Sequence, residues 1–160
     1  PMMSHTRRQN VKMSLPNDNV IHSVIMDRTE LDSHADTCCI GANATVIEFT
    51  GRICDVSPFS DSYSPVKDIS VVKAATAYDT PEGVTYVLII NEALDMRAHM
   101  AYSLLNPNQL RANGVVVDDV PKQFCQTSTH SIFFPEVKLR IPLILNGVFS
   151  FLPTRKPTAK

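Results

Sequence analysis

The most informative stretch of this sequence reads Glu30-Leu31-Asp32-Ser33-His34-Ala35-Asp36-Thr37-Cys38-Cys39-Ile40-Gly41. Two carboxylates, Asp32 and Asp36, stand four residues apart, and only small or polar side chains lie between them. The preceding run Val20–Met26 is rich in β-branched residues, which predicts a strand. The pattern is typical of a strand end that opens into a loop presenting acids, because loops commonly carry functional side chains.

Short apolar runs separated by turn residues predict mainly β structure along the rest of the chain. Strands are predicted over residues 45–49, 69–78, 84–90, 115–117, 131–134, 137–141 and 143–152. A hairpin is expected around Asp79–Gly83, and Thr50-Gly51 is expected to end the first of these strands. The dipeptide Asn146-Gly147 predicts a hairpin with a type I′ turn.

One short helix is predicted between the strands at residues 84–90 and 115–117. Asn106 is a suitable N-cap, and Pro107 is tolerated in the first helical turn. We expect the helix to run through Leu110 and to end at Asn113-Gly114, which is a common C-terminal signal of helices.

Residues 31–37 resemble the active-site turn of retropepsin-like aspartic proteases, which follows a hydrophobic residue with Asp-Ser/Thr-Gly-Ala. His34 stands where that family has glycine. The wider chain is similar to the protease region of Copia-type retrotransposon Gag-Pol polyproteins, especially those whose turn reads Asp-Ser-His-Ala-Asp. Residues 57–60, 104–114 and 151–158 support the likeness in the same order, so that it covers roughly residues 20–158.

The resemblance implies an all-β fold: a retropepsin-like acid protease half-barrel with one short α-helix and a C-terminal β-hairpin extension. We expect the retropepsin-like domain over residues 17–120 and the C-terminal β extension and tail over residues 121–160. Residues 1–16 are polar and lack an apolar period, which predicts a flexible N-terminal arm.

The implied activity is that of an aspartic endopeptidase that processes its own Gag-Pol polyprotein, an extended peptide substrate. Such hydrolysis uses two carboxylates that share one proton. The resemblance assigns the catalytic carboxylate to Asp32 and the bracing of the pair to Ser33. Only one Asp-Ser-x-Ala turn occurs in this chain. A working site therefore predicts a homodimer in which each copy contributes Asp32, without a cofactor.

Substrate contacts are implied at His34, Ala35 and Asp36. The resemblance also places a substrate-covering flap, including Phe59 and Ser60, in the polar segment Ser57–Pro65. An ordinary surface loop explains that segment equally well from its residues alone.

Other functions remain open. Asp32 and Asp36 are also common turn residues. The bulk of the His34 imidazole favours a second hypothesis, an inactive peptide-binding or assembly module with the same fold. A third is a metal-binding module built from His34, Cys38 and Cys39 with His22 or Cys54. Structural zinc sites usually carry paired ligands at short regular spacings, and none occurs here, so we expect no metal.

Composition narrows the class of protein. The 160 residues predict one domain with tails, and the net charge of −1 gives no electrostatic basis for binding nucleic acid or a membrane surface. No apolar window approaches the length of a membrane span. The four cysteines lack Cys-x-x-Cys spacing, which predicts free thiols in a reducing, cytoplasmic location.

Overall fold

The computed structural model describes residues 27–58 and 60–158. Its elements are β1 (Arg28–Leu31), β2 (Cys39–Ile40), β3 (Thr45–Val56), β4 (Val66–Asp79), β5 (Thr85–Asp95), β6 (Ser103–Leu105), α1 (Pro107–Ala112), β7 (Val116–Asp118), β8 (Ser131–Phe134), β9 (Leu139–Pro142), β10 (Ile144–Asn146) and β11 (Phe149–Pro153). The all-β character with one short helix is confirmed over these residues. The predicted arm at residues 1–16, the predicted strand Val20–Met26 and the candidate residue Phe59 lie outside them.

Eight strands form the main sheet, in the order β10-β11-β1-β6-β2-β5-β4-β3. β1 and β6 are parallel neighbours, and Leu31 pairs with Leu105 at their carboxyl ends. β2 lies on the far side of β6, antiparallel to it and parallel to β5. The chain that follows β1 and the chain that follows β6 therefore leave the sheet side by side.

Strands β3, β4 and β5 form two successive long hairpins. The predicted β4–β5 hairpin is confirmed, and its turn is closed by a hydrogen bond from the amide of Thr80 to the carbonyl of Val84. The prediction that Thr50-Gly51 ends a strand is wrong, because β3 continues to Val56. Gly51 has a φ of +79°, and the register with β4 shifts there, so the strand bulges instead of ending.

The C-terminal strands join both sheets. β7, β8 and β9 form a separate three-stranded sheet with β8 in its centre, whereas β11 lies in the main sheet between β10 and β1. Asn146 pairs with Phe149, so the turn of the β10–β11 hairpin consists of Gly147 and Val148. Only Gly147 of these has a positive φ, which fits a type II′ turn and corrects the predicted type I′.

The main hydrophobic core includes residues of both sheets. Ile40, Val72 and Leu152 of the main sheet belong to the same buried cluster as Ile132 and Ile141 of the smaller sheet. All five side chains are at most 1% exposed. Full burial of such side chains is the main stabilising contribution to a domain of this size. No helix in the described part of the chain is long and apolar enough to cross a membrane.

A buried amide holds the strands that lead to the candidate site. Asn43 is 2% exposed, and its Nδ2 donates to the carbonyl of Arg28 over 2.8 Å and to Thr154 Oγ1 over 3.0 Å. Its Oδ1 accepts a hydrogen bond from Ser103 Oγ at 2.7 Å. The start of β1, the start of β6 and the end of the C-terminal hairpin are thus fixed to one side chain, whose polar atoms are all satisfied.

Candidate active site

Asp32 is the first residue after β1 and is half-buried. Its amide donates to the carbonyl of Leu105, the last residue of β6, over 3.0 Å. Its Oδ1 accepts the backbone N–H of His34 at 2.8 Å. This local bond is an Asx-turn, which bends the chain immediately after the strand and orients the carboxylate.

The helix beside this turn begins as the sequence predicts. Asn106 is the N-cap, and its Oδ1 accepts the amides of Asn108 at 2.9 Å and Gln109 at 2.8 Å. Pro107 occupies the first turn, where its missing N–H has no consequence for the helix. Gly114 follows the C-cap Asn113 with a φ of +81°, which confirms the predicted end.

Two side chains of this helix region also bond to residues 32–38, here called the acidic turn. Asn106 Nδ2 donates to the carbonyl of Ala35. Gln109 Oε1 accepts both Thr37 Oγ1 at 2.9 Å and the amide of Cys38 at 2.7 Å. The turn is therefore bonded to its surroundings at its start, its middle and its end, as expected of a site built on rigid elements.

The predicted site residues of the turn differ in accessibility. Ser33, His34 and Asp36 are exposed, whereas Ala35 is half-buried. His34 is absent from the residues with positive φ, so the backbone conformation at this position does not require glycine. Its exposed imidazole lies at the outer surface of the turn.

Of the two candidate flap residues, Ser60 lies in the described part of the chain. Ser60 belongs to the loop between β3 and β4, where its carbonyl accepts the amide of Tyr63 at 3.1 Å and its Oγ accepts the amide of Ser62 at 3.3 Å. Tyr63 is 61% exposed at this end of the hairpin. Residues 32–36 therefore share one turn, and Ser60 lies on the loop between β3 and β4.

The thiols of Cys38 and Cys39, near the turn, are free and buried. Cys38 is buried, and its Sγ accepts the amide of Asn106 at 3.3 Å. Burial raises the pKa of the Cys39 thiol to about 11, and repulsion from Cys38, Asp32 and Cys54 adds to the rise. No group of three metal-ligating side chains occurs within residues 27–58 and 60–158. The arrangement is that of buried packing groups beside an acidic turn.

Sequence reasoning missed Gln109 and the second role of Asn106. Both lie in the segment 104–114 that supported the family resemblance, and the Asn-Pro pair identified the cap. Nothing in the local pattern indicates that these amides contact residues 35–38, because that contact spans about seventy residues of chain.

Comparison with known proteins returned no relative. No family model, no curated protein and no solved structure matches this chain. The geometry of the turn and the motif at residues 31–37 are the features that bear on function.

Proposed function

We propose that this chain is a retropepsin-like aspartic endopeptidase of a Copia-type Gag-Pol polyprotein, active as a homodimer. One observation carries the proposal. Asp32 directly follows β1, its backbone is bonded to the end of the parallel neighbour β6, and its carboxylate is oriented by the turn that follows. A half-buried acid held this rigidly at a strand end has the preorganisation that acid–base catalysis needs.

Two copies of Asp32 would supply the chemistry. The ionised carboxylate takes a proton from water, and the oxygen of that water attacks the scissile carbonyl carbon. The protonated carboxyl donates its hydrogen bond to the carbonyl oxygen and stabilises the developing charge. Collapse of the tetrahedral intermediate breaks the C–N bond, and the amine leaves with a proton from the pair.

Three described aspartates that already have partners support a second copy as the source of the second acid. Asp79 is paired with Arg155, and Asp95 with Arg97. The carboxylate of Asp118 accepts hydrogen bonds from Ser128 and Thr129. These acids already have partners, and Asp36 projects from the same turn as Asp32. A two-fold axis close to Asp32 is the simplest way to bring two equivalent acids together.

The proposed substrate is an extended segment of the polyprotein. Substrate contact is assigned to His34, Ala35 and Asp36 on the turn and to Phe59 and Ser60 on the β3–β4 loop, following the family resemblance. Four free cysteines, two of them buried, are compatible with the reducing cytoplasm in which such a polyprotein would be processed.

An inactive peptide-binding or assembly module is the second candidate, and the exposed imidazole of His34 favours it. His34→Gly separates the two candidates, because the backbone at this position tolerates either residue. A large gain in cleavage on restoring the glycine would identify an enzyme impaired by the histidine.

The direct test of the proposal is cleavage of a polyprotein fragment that carries the sequences flanking this chain. We expect the wild-type chain to cleave it and Asp32→Asn to abolish cleavage. Glu82→Gln, which removes an exposed acid from the turn between β4 and β5, is the matched control and should cleave normally. Equal processing by the Asp32→Asn variant would end the catalytic proposal.

A further inference from the structure

We infer that Gln109 is a positioning residue for Asp32, because its side-chain amide fixes the end of the acidic turn. The inference rests on the proposed function for its catalytic consequence, whereas the structural role of Gln109 can be measured without activity. Gln109 makes no hydrogen bond to Asp32 or to His34. Its side chain bonds instead to Thr37 and Cys38 at the end of the turn.

One amide group joins three elements. Gln109 Oε1 accepts from Thr37 Oγ1 at 2.9 Å and from the amide of Cys38 at 2.7 Å. Its Nε2 donates to the carbonyl of Glu92 on β5 over 3.0 Å. The helix, the end of the acidic turn and a central strand of the sheet are thereby held by a single side chain, and each of its polar atoms is used.

The start and the end of the turn have separate supports. Asp32 is held by the Leu105 carbonyl, so the start of the turn does not depend on Gln109. At the end of the turn, the hydroxyl of Thr37 and the amide of Cys38 both donate to the Gln109 oxygen. Removing this oxygen leaves two donors without an acceptor next to the buried Cys38 side chain.

Movement of residues 37 and 38 would affect the Asp32 carboxylate through the backbone between them. The Asp32 Oδ1 is oriented by the N–H of His34, four residues before Cys38. A displacement of residues 34–38 would therefore rotate the Asp32 carboxylate away from Asp32 of the second copy. Misplacement of about 1 Å can reduce turnover by up to about 100-fold while substrate affinity changes little.

The chemistry of the amide predicts a graded response to substitution. Gln109→Glu keeps an oxygen that accepts from Thr37 and Cys38, but it replaces the donor to Glu92 with a second oxygen that repels the Glu92 carbonyl. Gln109→Ala loses all three bonds. A residue that positions the turn through its oxygen should therefore be partly rescued by glutamate.

The test combines amide hydrogen exchange with steady-state kinetics on the wild-type chain, Gln109→Glu, Gln109→Ala and the control Asn108→Ala. Asn108 lies on the exposed side of the same helix, and its side chain accepts from Arg111. We expect exchange at the Cys38 amide to accelerate at least about 10-fold in Gln109→Ala, and much less in Gln109→Glu. We expect kcat to fall about 10-fold or more in Gln109→Ala with KM nearly unchanged, and the control to match wild type.

Each outcome decides the inference. Unchanged exchange at Cys38 in Gln109→Ala would overturn the structural role. Faster exchange with normal kcat would overturn the positioning role. If the wild-type chain cleaves nothing, the proposed function fails, and the exchange measurement still decides whether Gln109 holds the turn. Equal losses in the glutamate and alanine variants, with a lowered midpoint of unfolding in both, would reduce Gln109 to a general stabilising residue.

Discussion

The amide of Asp32 donates to the carbonyl of Leu105 over 3.0 Å, which extends the parallel pairing of β1 and β6 one residue past β1. This bond sets the candidate acid at the point where two chain segments leave the sheet together. The acidic turn follows one strand and helix α1 follows the other, and the side chains of Asn106 and Gln109 then bond to backbone atoms of the turn. The position of Asp32 is thus a consequence of strand topology.

The first prediction concerns Asn106, which caps the helix and also bonds the turn. We expect Asn106→Ala to lower the free energy of unfolding by about 2 kcal/mol, about half from the lost cap and the rest from the Ala35 carbonyl left without its donor. Urea denaturation measures this change. Asn113→Ala, at the exposed end of the same helix, should change stability by less than about 0.5 kcal/mol. Equal losses in the two variants would contradict the double role of Asn106.

The second prediction concerns the order in which the thiols react. Hydrogen bonds from Thr127 lower the pKa of the Cys125 thiol, whereas burial raises the pKa values of Cys38 and Cys39. The thiolate is the reactive species, so alkylation near neutral pH should modify Cys125 first. Peptide mapping by mass spectrometry gives the order, and Cys125→Ser should remove the fast phase. Early labelling of Cys39 in the folded chain would show that the turn opens readily.

The third prediction is a dependence of stability on pH through His130. Its ring bonds to Ser150 Oγ at 2.8 Å and is buried, and burial lowers its pKa below the ordinary value. The unfolded chain then binds the proton more readily than the folded chain. The contribution of the neutral His130 ring to folding stability is complete above about pH 6.5, the pKa of histidine in the unfolded chain. It is lost as the pH falls through the lower pKa of the folded chain.

His130→Asn should flatten this loss, since asparagine tolerates the positive φ of 45° at this position. Urea midpoints measured across this pH range test the slope. An unchanged slope in His130→Asn would show that other groups cause the pH dependence.

Local features of this fold were predictable from the sequence because they depend on neighbouring residues. The cap at Asn106, the proline that follows it and the glycine after the helix act within one or two turns of chain. The β4–β5 hairpin likewise follows from two β-rich runs around a short turn. A hairpin at Asn146-Gly147 was predicted, but Asn146 pairs with Phe149, so the turn is displaced by one residue to Gly147-Val148 and its type changes with it.

Long-range features were not predictable from local patterns. The pairing of Thr29 with Leu152 joins residues that are distant in sequence, and the buried Asn43 bonds to several strands at once. The acidic residue Asp32 could be identified because its motif is contiguous. Gln109, which fixes the other end of that turn, could not, because a glutamine on a short helix carries no signal of what it will contact.

The central claim is that two copies of Asp32 act together, and a subunit-mixing experiment tests it most directly. Wild-type and Asp32→Asn chains are refolded together in varying ratios at a fixed total concentration, and cleavage of the flanking polyprotein is measured. With half of the chains replaced, we expect the rate to fall to about one quarter, because only dimers with two intact acids would cleave. A fall to about one half would show that each chain works alone, and cleavage that persists in the pure Asp32→Asn protein would contradict the account.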